Sequence, residues 1–584
     1  MQHKTKKEIQ IMKKQNLSVY AFVAILSATA VACNPLSNMT KKAEQITYSV
    51  NPTPLEMHGD SVEVTISGTI PPKFFNKKVA VEITPTTTGE SGDVAFKKLV
   101  LVGEDSEVEG QKIAFEKGGS FSYNDKVAYQ DALENVTLNA VAVGTYKGKE
   151  KEFPARKIGS GTIITPKWVM DDDMVILGAD KFTRVVKKES SATINYEVNK
   201  SNVLSKELVD ADMKALSEWI KEMSKNPMFA FKGVDVLAYA SPEGELSLNT
   251  NLADNRAASG ASAAGSILSR NKVKTSGEFF NKMGKGEDWD GFKAAMQKTD
   301  IADKDLILRV LEMYPDKAKR EAEIRNMAAT FEVLQEKILP SLRRSEITVR
   351  GELTAYTDEQ IKDFVNSAPE KLSAEEILYA ATMTEDLDAK MTIYKTFAKL
   401  HAKDWRGPNN IGFILVKQNK MEAAKAEFDK ANSLSPNNPV VNNNLGVYER
   451  ANGNDDKAME YYAAAKGAGT EVGNNMGYLE IKSGNYVEAV SNYGGTKSFN
   501  AALAQTLNKD YSTALQTIDA SPSANTAAGS YLKAVIGARM KDQSLMVTNL
   551  KAAIAADASL KAKAKKDAEF VDYRENAEFQ AAVN

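Results

Sequence analysis

The chain has 584 residues, of which 43% are hydrophobic and 26% charged, and its formal charge is -2. At roughly 100–200 residues per domain this means about three to five folded domains, and the near-zero charge excludes a global field that would draw nucleic acid. One cysteine excludes an internal disulfide, and His3, His58 and His401 fall at no metal-ligand spacing, so no metal site and no cofactor are expected.

Met12-Lys13-Lys14 gives a basic start, followed by an apolar stretch from Leu17 to Ala32 that ends in small residues. This is the pattern of a signal peptide over 1–32; about 16 apolar residues are few for a spanning helix. Met12 is a better initiator than Met1, because it leaves a short basic lead. The ending Ala30-Val31-Ala32-Cys33 resembles the lipobox of bacterial lipoproteins. That resemblance implies lipidation of Cys33 and an anchor in the outer membrane; the other reading is a secreted protein with an incidental cysteine. Residues 33–45 are polar and aperiodic, so a flexible tether is expected. They lack the acidic cluster that follows the lipidated cysteine of surface-exported Bacteroidetes lipoproteins, and this resemblance argument favours a periplasm-facing protein.

Over 46–175 apolar residues alternate with polar ones, as in Val62, Val64 and Ile66, and again in Val79, Val81 and Ile83. Pro71-Pro72, Gly118-Gly119 and Asn124-Asp125 read as turns between the runs. About seven strands with this spacing predict an antiparallel, Ig-like β-sandwich. Asp171-Asp172-Asp173 reads as a solvated linker, with a metal site as the weaker alternative.

From 188 to 355 the order is strand, helix, strand, helix, helix, strand, which predicts a mixed sheet covered by helices, with a helical insertion at 271–326. Ala238-Tyr239-Ala240-Ser241-Pro242-Glu243-Gly244, then Asn249, Leu252, Ala253, Arg256 and Ala257, resembles the core motif of OmpA-like peptidoglycan-binding domains. The resemblance implies an α/β domain whose Arg256 grips the carboxylate of a zwitterionic peptidoglycan stem peptide in a bidentate fork. Ser241 stands where the family has the Asp that takes the ammonium, and Glu243 is the replacement carboxylate; Asn249 completes the candidate site. The alternative is that Arg256 pairs with Asp254 or Glu243 and binds no ligand.

Over 356–584 a pattern of small and aromatic residues repeats. Gly412, Ala424 and Phe428 recur 34 residues later as Gly446, Ala458 and Tyr462, and then, after a shift of 31, as Gly477, Ala489 and Tyr493. The period resembles tetratricopeptide repeats, which implies an all-α solenoid with a concave surface for a peptide or partner helix. Asn409-Asn410, Asn443-Asn444 and Asn474-Asn475 recur just before the repeat glycine. A ladder of carboxamides at Asn410, Asn444 and Asn475 would hold a peptide backbone without reading its sequence; alternatively one Asn of each pair stabilises a helix start.

The whole predicts a multidomain chain: an N-terminal all-β sandwich, a central α/β domain and a C-terminal all-α array. No nucleophile elbow, phosphate loop or paired-His motif is present, so no catalytic residue is assigned and binding is expected. Two functions fit. One is a tether that holds the outer membrane by its lipid, peptidoglycan by the middle domain and envelope proteins by the array. The other is an accessory scaffold subunit of an outer-membrane assembly or transport complex.

Overall fold

The structure, a computed structural model, describes residues 35–584 apart from 302. The expected signal peptide 1–32 and Cys33 lie outside the described residues. The chain divides into two compact units, one running up to Ile176 and including Asn437–Asn584, the other Leu177–Pro436.

In the first unit the strands are β1 (Thr47–Asn51), β2 (Leu55–His58), β3 (Ser61–Ile70), β4 (Ala80–Gly89), β5 (Gly92–Ala95) and β6 (Leu99–Gly103), then β7 (Gln111–Ile113), β8 (Gly119–Ala128), β9 (Val136–Tyr146), β10 (Lys149–Glu152) and β11 (Arg156–Ile163). They form an 11-stranded sheet with the path β1-β3-β2-β11-β9-β4-β6-β7, so the seven-strand, all-antiparallel sandwich is corrected. β2 pairs with β11, and β6 with β7, in parallel. The β2–β11 seam is possible because Gly161 carries no side chain: a Cβ there would lie 2.6 Å from the Cβ of Leu55. The inward residues, among them Val62, Val64, Ile66 and Leu138, make one core. Asn124-Asp125 is not a turn but lies inside β8, where the buried Asp125 accepts hydrogen bonds from the Lys97 N–H at 2.8 Å and the Tyr123 hydroxyl at 3.2 Å.

The expected flexible tether is also corrected. Pro35–Lys41 is a short helix whose Leu36 and Met39 are buried in the β core. Leu36 seats against Gly144, where an added Cβ would meet it at 2.7 Å. Two apolar residues three apart are too weak a sequence signal, but each is covered by the sheet and so contributes burial energy.

The part of the first unit from Asn437 to Asn584 is helical. Pro439–Ala451 pairs with Asp455–Ala464, Thr470–Ser483 with Tyr486–Tyr493, Phe499–Leu507 with Tyr511–Asp519, and Ala527–Met540 with Gln543–Ala556. The repeat glycines explain the pairing. An added Cβ at Gly446 would lie 2.5 Å from the Tyr462 ring, and one at Gly477 2.5 Å from the Tyr493 ring. Each aromatic of the second helix fills the space the glycine leaves on the first, which is why the spacing of 16 residues is kept.

The second unit carries a four-stranded sheet of β12 (Val185–Asn195), β13 (Phe229–Ala240), β14 (Phe280–Glu287) and β15 (Arg344–Thr354), in the order β12-β15-β13-β14. β13 and β14 are parallel; the other two pairs are antiparallel. Ala211–Met223 and Leu246–Arg270 supply the helical side of its core. The segment 271–326, expected as a helical insertion, therefore holds an edge strand as well. β14 escapes a periodicity reading because Asn281, Lys282 and Lys285 leave it almost without apolar alternation. The helices Trp289–Lys298, Lys304–Met313, Lys317–Asn326 and Ala328–Lys337 follow, around a small core of their own that includes Phe292, Ile307 and Leu334. The repeat helices Arg406–Lys417 and Met421–Leu434 also belong to this unit, with Gly412 against Phe428 as in the later pairs.

Candidate functional site

The recurrent asparagines stand within the first helix of each pair. The helix-start alternative gives way to a different arrangement: Pro439–Ala451 is capped by Asn438, while Asn443 and Asn444 lie inside it. In the first unit the segment 169–176 runs without regular secondary structure along these helices, and the carboxamides of Asn444, Asn475 and Asn500 grip it with both ends. Asn444 accepts from the Ile176 N–H at 2.7 Å and donates to the Ile176 carbonyl at 2.8 Å. Asn475 does the same to Met174 at 2.8 and 2.9 Å, and Asn500 to Met170 at 2.8 and 2.7 Å. Met174 and Ile176 are two residues apart, so they present the same face of an extended chain. A carboxamide with one donor and one acceptor edge substitutes for the neighbouring strand of a sheet.

The rungs are tied to one another. Asn443 donates to the Met174 carbonyl at 2.8 Å and to Asn444 at 3.2 Å, and Asn475 donates to Asn443 at 2.9 Å. The second unit repeats the device once: Asn410 binds the Gly178 N–H at 2.7 Å and its carbonyl at 2.9 Å, and Asn409 donates to Asn410 at 3.1 Å. Gly178 is required there, since a Cβ would sit 2.8 Å from the Arg406 side chain. The ladder expected for a partner's peptide thus holds the chain's own backbone.

Asp171-Asp172-Asp173, expected as a solvated linker, is part of this grip. Arg450 pairs with Asp171 at 2.6 Å and also with Asp173. Burial pushes the Asp173 carboxyl up to about 6; the Arg450 guanidinium pulls the other way, and Asp171 and Asp172 add repulsion. Burial likewise raises Asp172, although its bond with Asn500 opposes the shift. Asn500, Arg450 and Gly178 escaped sequence reasoning. Asn500 carried a signal: it stands two residues before Ala502, as Asn444 stands before Gly446 and Asn475 before Gly477.

Arg256 is fully buried. Its Nε donates to the Lys200 carbonyl at 3.0 Å, Nη1 to the Tyr239 carbonyl at 2.9 Å and Nη2 to the Glu197 carbonyl at 3.2 Å. The guanidinium carbon lies 5.2 Å from the centre of the Tyr196 ring. Burial pushes its pKa down to about 10, which leaves it charged at neutral pH. Its place is that of a brace on three backbone carbonyls, two in the turn after β12 and one near the end of β13, and neither Asp254 nor Glu243 is its hydrogen-bond partner. Glu243 instead meets Arg343 at 3.2 Å and accepts from Ser241 at 2.5 Å. Asn249 donates to the Gly244 carbonyl at 3.1 Å and to Glu287 at 2.9 Å. Ser241, Glu243 and Asn249 are therefore gathered around one turn and knit to the protein itself, with Arg256 behind them. Among the described residues no three His, Cys, Asp or Glu side chains are placed to hold a metal ion.

No protein-family model matches the chain. No curated protein matches it. Among solved structures it is similar to pilF of Pseudomonas aeruginosa, with 13% identity over 38% of this chain and 97% of that one and a TM-score of 0.27. A tetratricopeptide repeat protein from Parabacteroides merdae gives 14% identity over 36% and 90% of the two chains, with a TM-score of 0.26. YrrB, described as a tetratricopeptide repeat protein with an unusual peptide-binding site, gives 18% identity over 35% and 99%, with a TM-score of 0.22. The repeat architecture stands on the chain's own helix pairs and glycine–aromatic contacts.

Proposed function

We propose that the chain is a lipid-anchored scaffold of the bacterial envelope that works by holding proteins together, without catalysis and without a cofactor. The observation that carries this reading is the use of Asn444, Asn475 and Asn500 on the chain's own segment 170–176. A repeat array whose carboxamides already hold an internal strand is a rigid mount, and it meets partners through its other surfaces. Of the two functions considered, this favours the accessory subunit of an outer-membrane assembly or transport complex. The anchor at Cys33 and the periplasm-facing position belong to the same proposal and draw on the lipobox resemblance.

Wall tethering is the second reading. It is supported by the placement of Ser241, Glu243 and Asn249 around one turn of the middle domain. It is weakened by the engagement of Arg256 with three carbonyls, because a bidentate carboxylate grip needs two of those donors to face the ligand. One experiment separates the two. Wild-type protein is extracted in mild detergent and, in parallel, mixed with purified cell-wall sacculi. Stoichiometric membrane-protein partners without pelleting support the scaffold. Pelleting that free stem peptide competes away would establish the tether instead. Cys33→Ser should move the protein from the membrane to the soluble fraction, and its continued presence in the membrane pellet would remove the anchor.

A further inference from the structure

The β-rich part of the first unit carries a partly open cavity of about 580 Å³. Its walls include Phe74, Phe75, Val81, Ile83, Leu101 and Phe153, all buried core residues. Protein interiors contain few voids larger than a water molecule. An engineered apolar cavity of about 150 Å³ already takes up benzene, and this one is almost four times that size. Ala140 and Ala142 on β9 keep it open, since both side chains line it and neither extends beyond a methyl group.

The mouth differs chemically from the walls. Lys41, Glu44, Pro154 and Ala155 line the cavity and are exposed, and Arg156 stands beside them. Arg156 is fixed by its Nη1, which donates to the carbonyls of Glu44 at 3.1 Å and Ala43 at 3.4 Å. The short helix Pro35–Lys41 and the turn after it thus form one side of the opening. Apolar walls select a hydrocarbon, and two cations against one carboxylate at the rim select an anionic or ester head group.

We propose that this cavity binds a single fatty acyl chain, with its tail among the phenylalanines and its carboxyl end at Lys41 and Arg156. At about 580 Å³ the space is in the range that takes one ligand of small-molecule size. The chain can come from a free fatty acid or from the lipid expected on Cys33, two residues before the helix.

The test uses the full mature chain carrying Cys33→Ser, stripped of lipid, and a fluorescent fatty acid displaced by unlabelled fatty acids of increasing length. Saturable binding of one ligand per chain is expected, with an optimum length, because the packed core behind the mouth limits the tail. Ala142→Phe should weaken binding at least about tenfold with thermal unfolding little changed. Lys41→Glu, on an exposed side chain, should weaken a fatty acid about threefold or more and leave the matching fatty alcohol unaffected. Lipidated protein from membranes distinguishes the sources: if it binds no added ligand, its own chain fills the site, and if it binds as well as Cys33→Ser, the ligand is external. Absence of saturable binding, affinity that only climbs with tail length, or equal binding by a folded Ala142→Phe protein would overturn the proposal.

Discussion

Arg256 in the second unit and the asparagines of the first unit do related work by different chemistry. Both satisfy backbone groups of their own chain. Arg256 offers donors only, so it gathers carbonyls, from Glu197 and Lys200 in the turn after β12 and from Tyr239 near the end of β13. The carboxamides of Asn444, Asn475 and Asn500 offer a donor and an acceptor each, so each holds a whole peptide unit and lines up an extended segment. The difference teaches that the residue type predicts the kind of group it will hold, but not whether that group belongs to a ligand or to the protein.

The comparison can be broken most strongly at Arg256. Arg256→Ala should remove a fully buried side chain together with its hydrogen bonds to three carbonyls and cost about 3–5 kcal/mol, measured by urea unfolding of the full chain. A stable variant that only loses sacculus binding would turn the brace back into a ligand site. Next in size, Asn444→Ala removes both hydrogen bonds that the carboxamide makes to Ile176 and should cost about 1–3 kcal/mol. Hydrogen exchange should speed up at Met174 and Ile176 in Asn444→Ala, Asn475→Ala double-variant protein; unchanged protection would mean that the ladder does not hold the segment. Gly446→Ala drives a methyl into the Tyr462 ring and should cost about 1–3 kcal/mol through overpacking, with Tyr462→Leu recovering part of it if the contact is the cause.

The smallest effect sharpens the contrast by pH. The Asp173 carboxyl stands at about 6 against an ordinary value of 3.8, because it is buried. Between those values the folded protein binds more protons than the unfolded chain, so this group's contribution falls as pH rises through the window and is level above it. Relative to Asp173→Asn, the wild type should therefore lose thermal stability between pH 4 and pH 6, a window set by the same two values. A constant difference between the two proteins across that range would show that Arg450 fully offsets the burial.

Much of the fold was legible. The 34-residue recurrence of Gly446, Ala458 and Tyr462 survives in sequence because glycine and aromatic meet within one helix pair, at fixed separation. The strands Ser61–Ile70 and Ala80–Gly89 show their alternation because one face of each is buried. The edge strand Phe280–Glu287 and the helix Pro35–Lys41 were not legible, since each has too few apolar residues to set a period.

Of the candidate site, the sequence by itself determined the chemistry and period of the asparagines and the spacing of the motif around Arg256. It determined these because they are local, repeated and fixed by residue type. Only the tertiary structure decided what those groups hold. Residues 169–176 have no period and three consecutive acids, so nothing in their sequence marks them as the strand laid on the ladder. Contacts such as that of Met174 with Asn475, 301 residues apart, depend on chain path, and a backbone looks the same to a carboxamide whichever chain it comes from.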